Sequence, residues 1–204
     1  MIRTALEFVK QELDAYMVGR EPDTYTTGNV VNVAPLMHPD NSSGLDANKH
    51  ISLALVNVEE DRLEGKAPYI MPTPDKKYVM LNPPITLNLY LLFAAHSNTY
   101  DTALRDLSAV ISFFQANPVF DEANYPNLNA SVIQPNEKPW QQIERLSFTL
   151  HSMTFEQQNN LFSTLGTKHI PSVVYKVRMI TIFETISRRR AEPITEIGIG
   201  EKSN

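Results

Sequence analysis

Apolar residues open the chain as Ile2, Leu6, Val9, Leu13 and Met17, in steps of four and three. That spacing lays one apolar stripe along an amphipathic helix over residues 2–17, with Glu7, Lys10, Glu12 and Asp14 off the stripe. Gly19 is read as its stop. Val30–Val33 carries a short strand signal. Pro35–Lys49 is rich in Pro, Asn, Ser, Asp and Gly and reads as a loop. Ile51–Val58 is a dense apolar run closed by Glu59-Glu60-Asp61, the profile of a buried strand. Pro72 and Pro74 make Tyr69–Leu81 a loop or an irregular edge hairpin. The cleanest alternation follows Asn82-Pro83-Pro84: Ile85, Leu87, Leu89, Leu91 and Phe93 on one face, Thr86, Asn88 and Tyr90 on the other.

Ser97-Asn98-Thr99 offers N-caps to a second helix, with Asp101 in its first turn. Leu104, Leu107, Val110, Ile111 and Phe114 fall on one helical face, and Asn117-Pro118 ends the helix. Residues 121–140 read as loop, with a short strand signal at Ser131–Ile133. Leu146, Phe148 and Leu150 alternate with Ser147, Thr149 and His151 as a half-buried strand. Thr154-Phe155-Glu156-Gln157 fits a capping box, so a third helix starts there and stops at Gly166. After Pro171, residues 172–183 read as a long strand. Strands with only two intervening helical units predict an α+β fold: a mixed, mostly antiparallel sheet with helices packed on one face. No repeat or linker interrupts residues 1–186. Residues 187–204 read as an extended C-terminal arm.

Composition narrows the chemistry. The 204 residues are 42% hydrophobic and 20% charged, values of an ordinary globular chain. There is no cysteine, which removes disulfide frameworks, thiolate metal sites and thiol nucleophiles. A net charge of −5 argues against nucleic acid as the main partner. No apolar leader opens the chain, and its longest apolar stretch, Leu89–Ala95, is too short to span a bilayer, so folding and assembly in the cytoplasm are expected. Asn41-Ser42-Ser43 and Asn129-Ala130-Ser131 match the glycosylation triplet, but no export signal accompanies them.

Catalytic and cofactor patterns are missing. Seven glycines include one close pair, Gly198 and Gly200, with no helix after it, so a phosphate cradle is not expected. No Ser elbow occurs. The five histidines, His38, His50, His96, His151 and His169, form no metal-binding pair, and no metal or cofactor is expected. The remaining enzymatic reading is an acid/base hydrolase using His96 or His151 with Glu59. Arg188, Arg189 and Arg190 form the one strong charge run, either a solvated strand end or a contact for carboxylates on a partner. Ile194, Ile197 and Ile199 punctuate a polar tail. Such an arm can add a strand to a neighbour's sheet.

Longer strings then point to a family. Leu55-Val56-Asn57-Val58-Glu59-Glu60-Asp61, Asn82-Pro83-Pro84 with Ile85 to Phe93, Tyr100-Asp101-Thr102-Ala103-Leu104, Leu107 to Gln115, Phe155 to Gly166 and Ile170 to Met179 occur in order. Together they resemble the N-terminal domain of the cap, or tail-terminator, proteins of phage-tail-like contractile injection systems of the antifeeding-prophage and virulence-cassette type. The resemblance spans most of residues 2–183. It implies a phage tail-terminator-like fold and a structural, non-enzymatic part: a homo-hexameric ring that closes the inner tube and engages the terminal sheath layer. The implied partners are the inner tube protein, the sheath protein and a second cap or adaptor subunit, met in the bacterial cytoplasm during assembly and kept in the injection particle. Many relatives carry a further C-terminal region, so a shorter adaptor, or a baseplate-type subunit of the same particle, stays open as the alternative. The loops 35–49, 61–81 and 117–142 are expected partner surfaces.

Overall fold

The computed structural model describes residues 1–61, 69–72, 78–81, 86–133, 141–181 and 189–191, the backbone alone for 69–72, 78–81, 180–181 and 189–191. Three helices are present among them: α1 (Ile2–Arg20), α2 (Tyr100–Ala116) and α3 (Phe155–Leu165). The strands are β1 (Val31–Val33), β2 (Ile51–Glu60), β3 (Tyr69–Pro72), β4 (Tyr78–Leu81), β5 (Thr86–Ala95), β6 (Val119–Asp121), β7 (Ile143–His151), β8 (Ser172–Thr181) and β9 (Arg189–Ala191). Six of them form one sheet in the order β1-β2-β5-β8-β7-β6, antiparallel throughout except for the β1–β2 pair. A three-stranded antiparallel sheet, β3-β4-β9, repeats the order of β2, β5 and β8 with the segments joined to them in the chain. The expected α+β class with a mixed, mostly antiparallel sheet is therefore present, and β3 and β4 pair antiparallel.

One detail of the expected layering is corrected: the helices occupy both faces of the sheet. Leu89, Leu91 and Phe93 of β5 join the larger core with α1 and α2, whereas Leu92 and Ala94 join a smaller one with Phe162 of α3 and Leu36 of the loop after β1. Successive side chains of a strand point to opposite faces. A central strand apolar on both faces needs cover twice, and the sequence supplies the second cover with α3 and Leu36.

The larger core is aromatic. Phe114 stacks on Phe148 with centroids 4.4 Å apart and planes 17° apart, and Phe120 meets Phe8 edge-on at 5.4 Å. Offset and edge-on pairs of this kind add to the area they bury. Phe120 sits on β6, a three-residue strand too short to show a period in the sequence. Residues 131–133 form no strand. Instead Asn129 acts as one, its amide accepting from Ile143 N at 2.8 Å and donating to Ile143 O at 3.0 Å. Phe120, Leu128 and Val132 are buried and anchor this loop to the core, while most of the described residues around them are exposed.

Helix boundaries follow local chemistry. Thr154 and Gln157 close the capping box reciprocally, and Gly166 ends α3 in the left-handed region at φ 68°. Thr99 caps α2 by accepting from Thr102 N. Gly19, expected as a stop, continues α1 to Arg20, and Glu21 N closes the last turn on Met17 O at 3.0 Å. Asp14, placed off the apolar stripe, is buried: its carboxylate accepts from Gly28 N at 2.7 Å, Val30 N at 3.0 Å and Val31 N at 3.3 Å. It ties α1 to the first strand.

Candidate interaction surfaces

The buried face of α2 lies one residue from the expected one. Ala103, Asp106, Val110, Phe113 and Phe114 face the interior. Tyr100, Leu104 and Ile111 are 70%, 42% and 37% exposed, with Leu107 half-buried between them. The spacing of four, three and four makes these four residues a single outward stripe.

Asp106 accounts for the rotation. Its carboxylate, fully buried, accepts from the hydroxyls of Tyr25 and Ser97 and lies 3.1 Å from His50 Nδ1. Placing any of the flanking leucines inward would turn this carboxylate out and orphan its partners, a costly exchange in a low-dielectric interior. Burial, first, and donation to Asp106, second, push the Tyr25 phenol well above its usual range. The node joins the segment after α1, the start of β2, the segment after β5, and α2. Being closed to solvent at its carboxylate, it is a tie between elements. Sequence reasoning missed it, although a carboxylate in step with Ala103, Val110 and Phe113 was its signal.

The two histidines of the hydrolase reading part company: His96 lies away from Glu59, whereas His151 and Glu59 both contact Tyr90. His96 Nε2 lies 3.0 Å from Ser52 Oγ, and burial holds its imidazole below the ordinary histidine range. Glu59 accepts from Tyr90 Oη at 2.9 Å, and His151 meets the same ring edge-on with centroids 5.1 Å apart. His96 thus belongs to a different neighbourhood from Glu59 and His151. Among the described residues no group of three His, Asp or Glu side chains could hold a metal, and no helix is long and apolar enough to cross a membrane.

Further apolar surface lies on the opposite side of the sheet, where Phe155 at the start of α3 is 91% exposed. Of the arm, Arg189 and Arg190 stand in β9, whose backbone pairs with Met80 and Val79 of β4. Arg188, Ile194, Ile197 and Ile199 lie outside the described residues, as does Ile85.

A family model, the Pvc16 N-terminal domain, matches residues 4–196. The chain belongs to this family. No curated protein matches it. Solved structures of similar fold include two with named roles. One is the PVC sheath/tube terminator of an extracellular contractile injection system in its extended state, with 12% identity, a TM-score of 0.57, and 95% of this chain on 63% of that one. The other is the tube-terminating cap of the anti-feeding prophage, with 14% identity, a TM-score of 0.58, and 98% of this chain on 60% of that one. The chain thus spans less than two thirds of each neighbour. At these identities the likeness concerns the fold, and it agrees with the tail-terminator-like architecture expected from the sequence.

Proposed function

We propose that this chain is a structural cap, or tail terminator, of a contractile injection system, working as a ring of identical copies that closes the inner tube and engages the last sheath layer. The observation that carries this reading is the Pvc16 N-terminal family match over residues 4–196, joined by a shared fold with a sheath/tube terminator and a tube-terminating cap. A head-to-tail ring uses two different patches per subunit, each meeting the other's counterpart on the next copy. The exposed Tyr100, Leu104 and Ile111 on the α2 side and Phe155 on the α3 side, on opposite faces of the sheet, would take part in two such patches. The proposed ring is a homo-hexamer with no catalytic role, assembled in the bacterial cytoplasm and retained in the particle.

On this reading residues 1–186 form the ring-building domain, and residues 187–204 an arm that meets the sheath protein. Arg188, Arg189 and Arg190 would contact its carboxylates, and Ile194, Ile197 and Ile199 would add a strand to its sheet. Removing residues 192–204, which spares β9, should leave a folded ring that no longer co-sediments with sheath, and unchanged co-sedimentation would refute the arm's role. Deleting the whole chain from a producing cell tests the cap itself. Tubes and sheaths of uncontrolled length are expected, whereas failure to nucleate any tube would point to an adaptor or baseplate role.

A further inference from the structure

On the α3 side, β2, β5, β8 and β7 leave part of the sheet face open beyond the smaller core. A cleft of about 290 Å³ lies there, with Val56, Val174, Met153 and Leu161 among its walls. Glu59 stands in the same cleft and is held in place, accepting from Tyr90 Oη at 2.9 Å on one oxygen and from Asn57 Nδ2 at 3.2 Å on the other. Each carboxylate oxygen retains a further lone pair. Tyr90 and His151 add an edge-on aromatic pair.

We propose that this cleft receives the side chain of an arginine presented by an extended segment of a partner protein. The volume suits one long side chain and falls at the low end of what a small-molecule site needs. Apolar walls suit an aliphatic stem. A carboxylate with fixed orientation suits a guanidinium fork, which also packs on aromatic rings as an ammonium does less well. Lys176, its ammonium 6.0 Å from the Tyr90 ring centroid, and the Arg178–Asp61 ion pair at 2.9 Å are the other charges along this face of the strands. None of these three residues lines the cleft, so Glu59 sets the sign of the site.

The backbone favours an extended donor. The β2–β5 register shifts between Leu55 and Asn57, a bulge that re-aims the strand beside the cleft. β1 pairs with β2 only at Ile51, Ser52 and Leu53, so along Ala54–Glu59 no described strand pairs with the outer edge of β2. A segment added along that edge would direct alternate side chains toward the α3 side. This inference stands apart from the cap reading.

The test titrates the full chain, labelled with ¹³C in its aromatic rings, with N-acetyl-arginine amide. Neutral N-acetyl-citrulline amide and N-acetyl-glutamate amide serve as comparison probes. The arginine probe should give saturable shifts at the Tyr90 and His151 rings, with binding about tenfold weaker for citrulline and for Glu59→Gln. Tyr90→Phe keeps the ring but frees Glu59, and should bind the arginine probe to an intermediate extent. Silence at both rings, equal binding of citrulline, an unchanged Glu59→Gln, or preference for the glutamate probe would each overturn the proposal. Should Glu59→Gln not fold, the citrulline comparison on the parent chain and Tyr90→Phe still decide it.

Discussion

Replacing Asp14 with alanine removes the acceptor for three backbone N–H groups at 2.7, 3.0 and 3.3 Å. Val30 and Val31 are fully buried, so water cannot replace the carboxylate there, whereas Gly28 is exposed and can be rehydrated. Two orphaned buried donors cost about 1–3 kcal/mol each. Recovering the desolvation of the lost carboxylate offsets part of this, which leaves a net loss of about 3 kcal/mol. For a chain of this size, that lowers the melting temperature by roughly 6–12 °C. Asp14→Asn keeps one oxygen for the two valines but turns an NH₂ group toward a donor, so it should lose about half as much. Urea unfolding followed by circular dichroism gives both values, and hydrogen exchange at the Val30 and Val31 amides should quicken selectively in Asp14→Ala. An Asp14→Ala chain within about 0.5 kcal/mol of the parent, or an asparagine variant weaker than the alanine one, would refute the reasoning.

Other substitutions probe separate links. A Cβ on Gly44 would sit 1.8 Å from Pro35 O and 2.9 Å from its carbonyl carbon, so Gly44→Ala must move backbone and should cost about 1–3 kcal/mol in the same urea assay. His96 faces Ser52, His50, Asp46 and Asp106, and its pKa is lowered chiefly by burial. The unfolded chain therefore binds the proton at a higher pH than the folded one. The stability this histidine contributes is complete above its unfolded pKa of about 6.5 and is lost as pH falls through the lower folded value. His96→Gln, measured by denaturant melts from pH 8 to 5, should flatten that acid-side decline. Leu104→Glu with Ile111→Glu alters exposed positions only and should keep the melting temperature while abolishing self-association in sedimentation velocity.

Features legible in the sequence were those written in adjacent residues. The Thr154–Gln157 capping box, Gly166 and the alternation of β5 and β7 each need only a short window. What escaped it depended on partners distant in the chain. Asp14 reads as a surface carboxylate until Val30 and Val31 are placed beside it, and Asp106 reads so until Tyr25, His50 and Ser97 converge on it. These two carboxylates set burial that hydrophobic period alone assigned to leucines or left to solvent. The β2 run reads as buried to Val58, yet only Ile51 to Ala54 are, because β1 and the helices cover just that half. The pairing of β9 with β4 joins residues more than a hundred positions apart and leaves no local trace. The cleft beside Glu59 was half visible: Glu59 and His151 stood out as titratable residues, but Tyr90 is what brings them to one place.

In the proposed function, copies of this chain close the end of a filament. Electron microscopy of the purified chain mixed with inner tube protein measures it most directly. The account predicts annular particles of about six subunits, free and seated on one end of each tube, with tube growth arrested there. A chain that stays monomeric at high concentration and leaves tube ends bare and growing would contradict it.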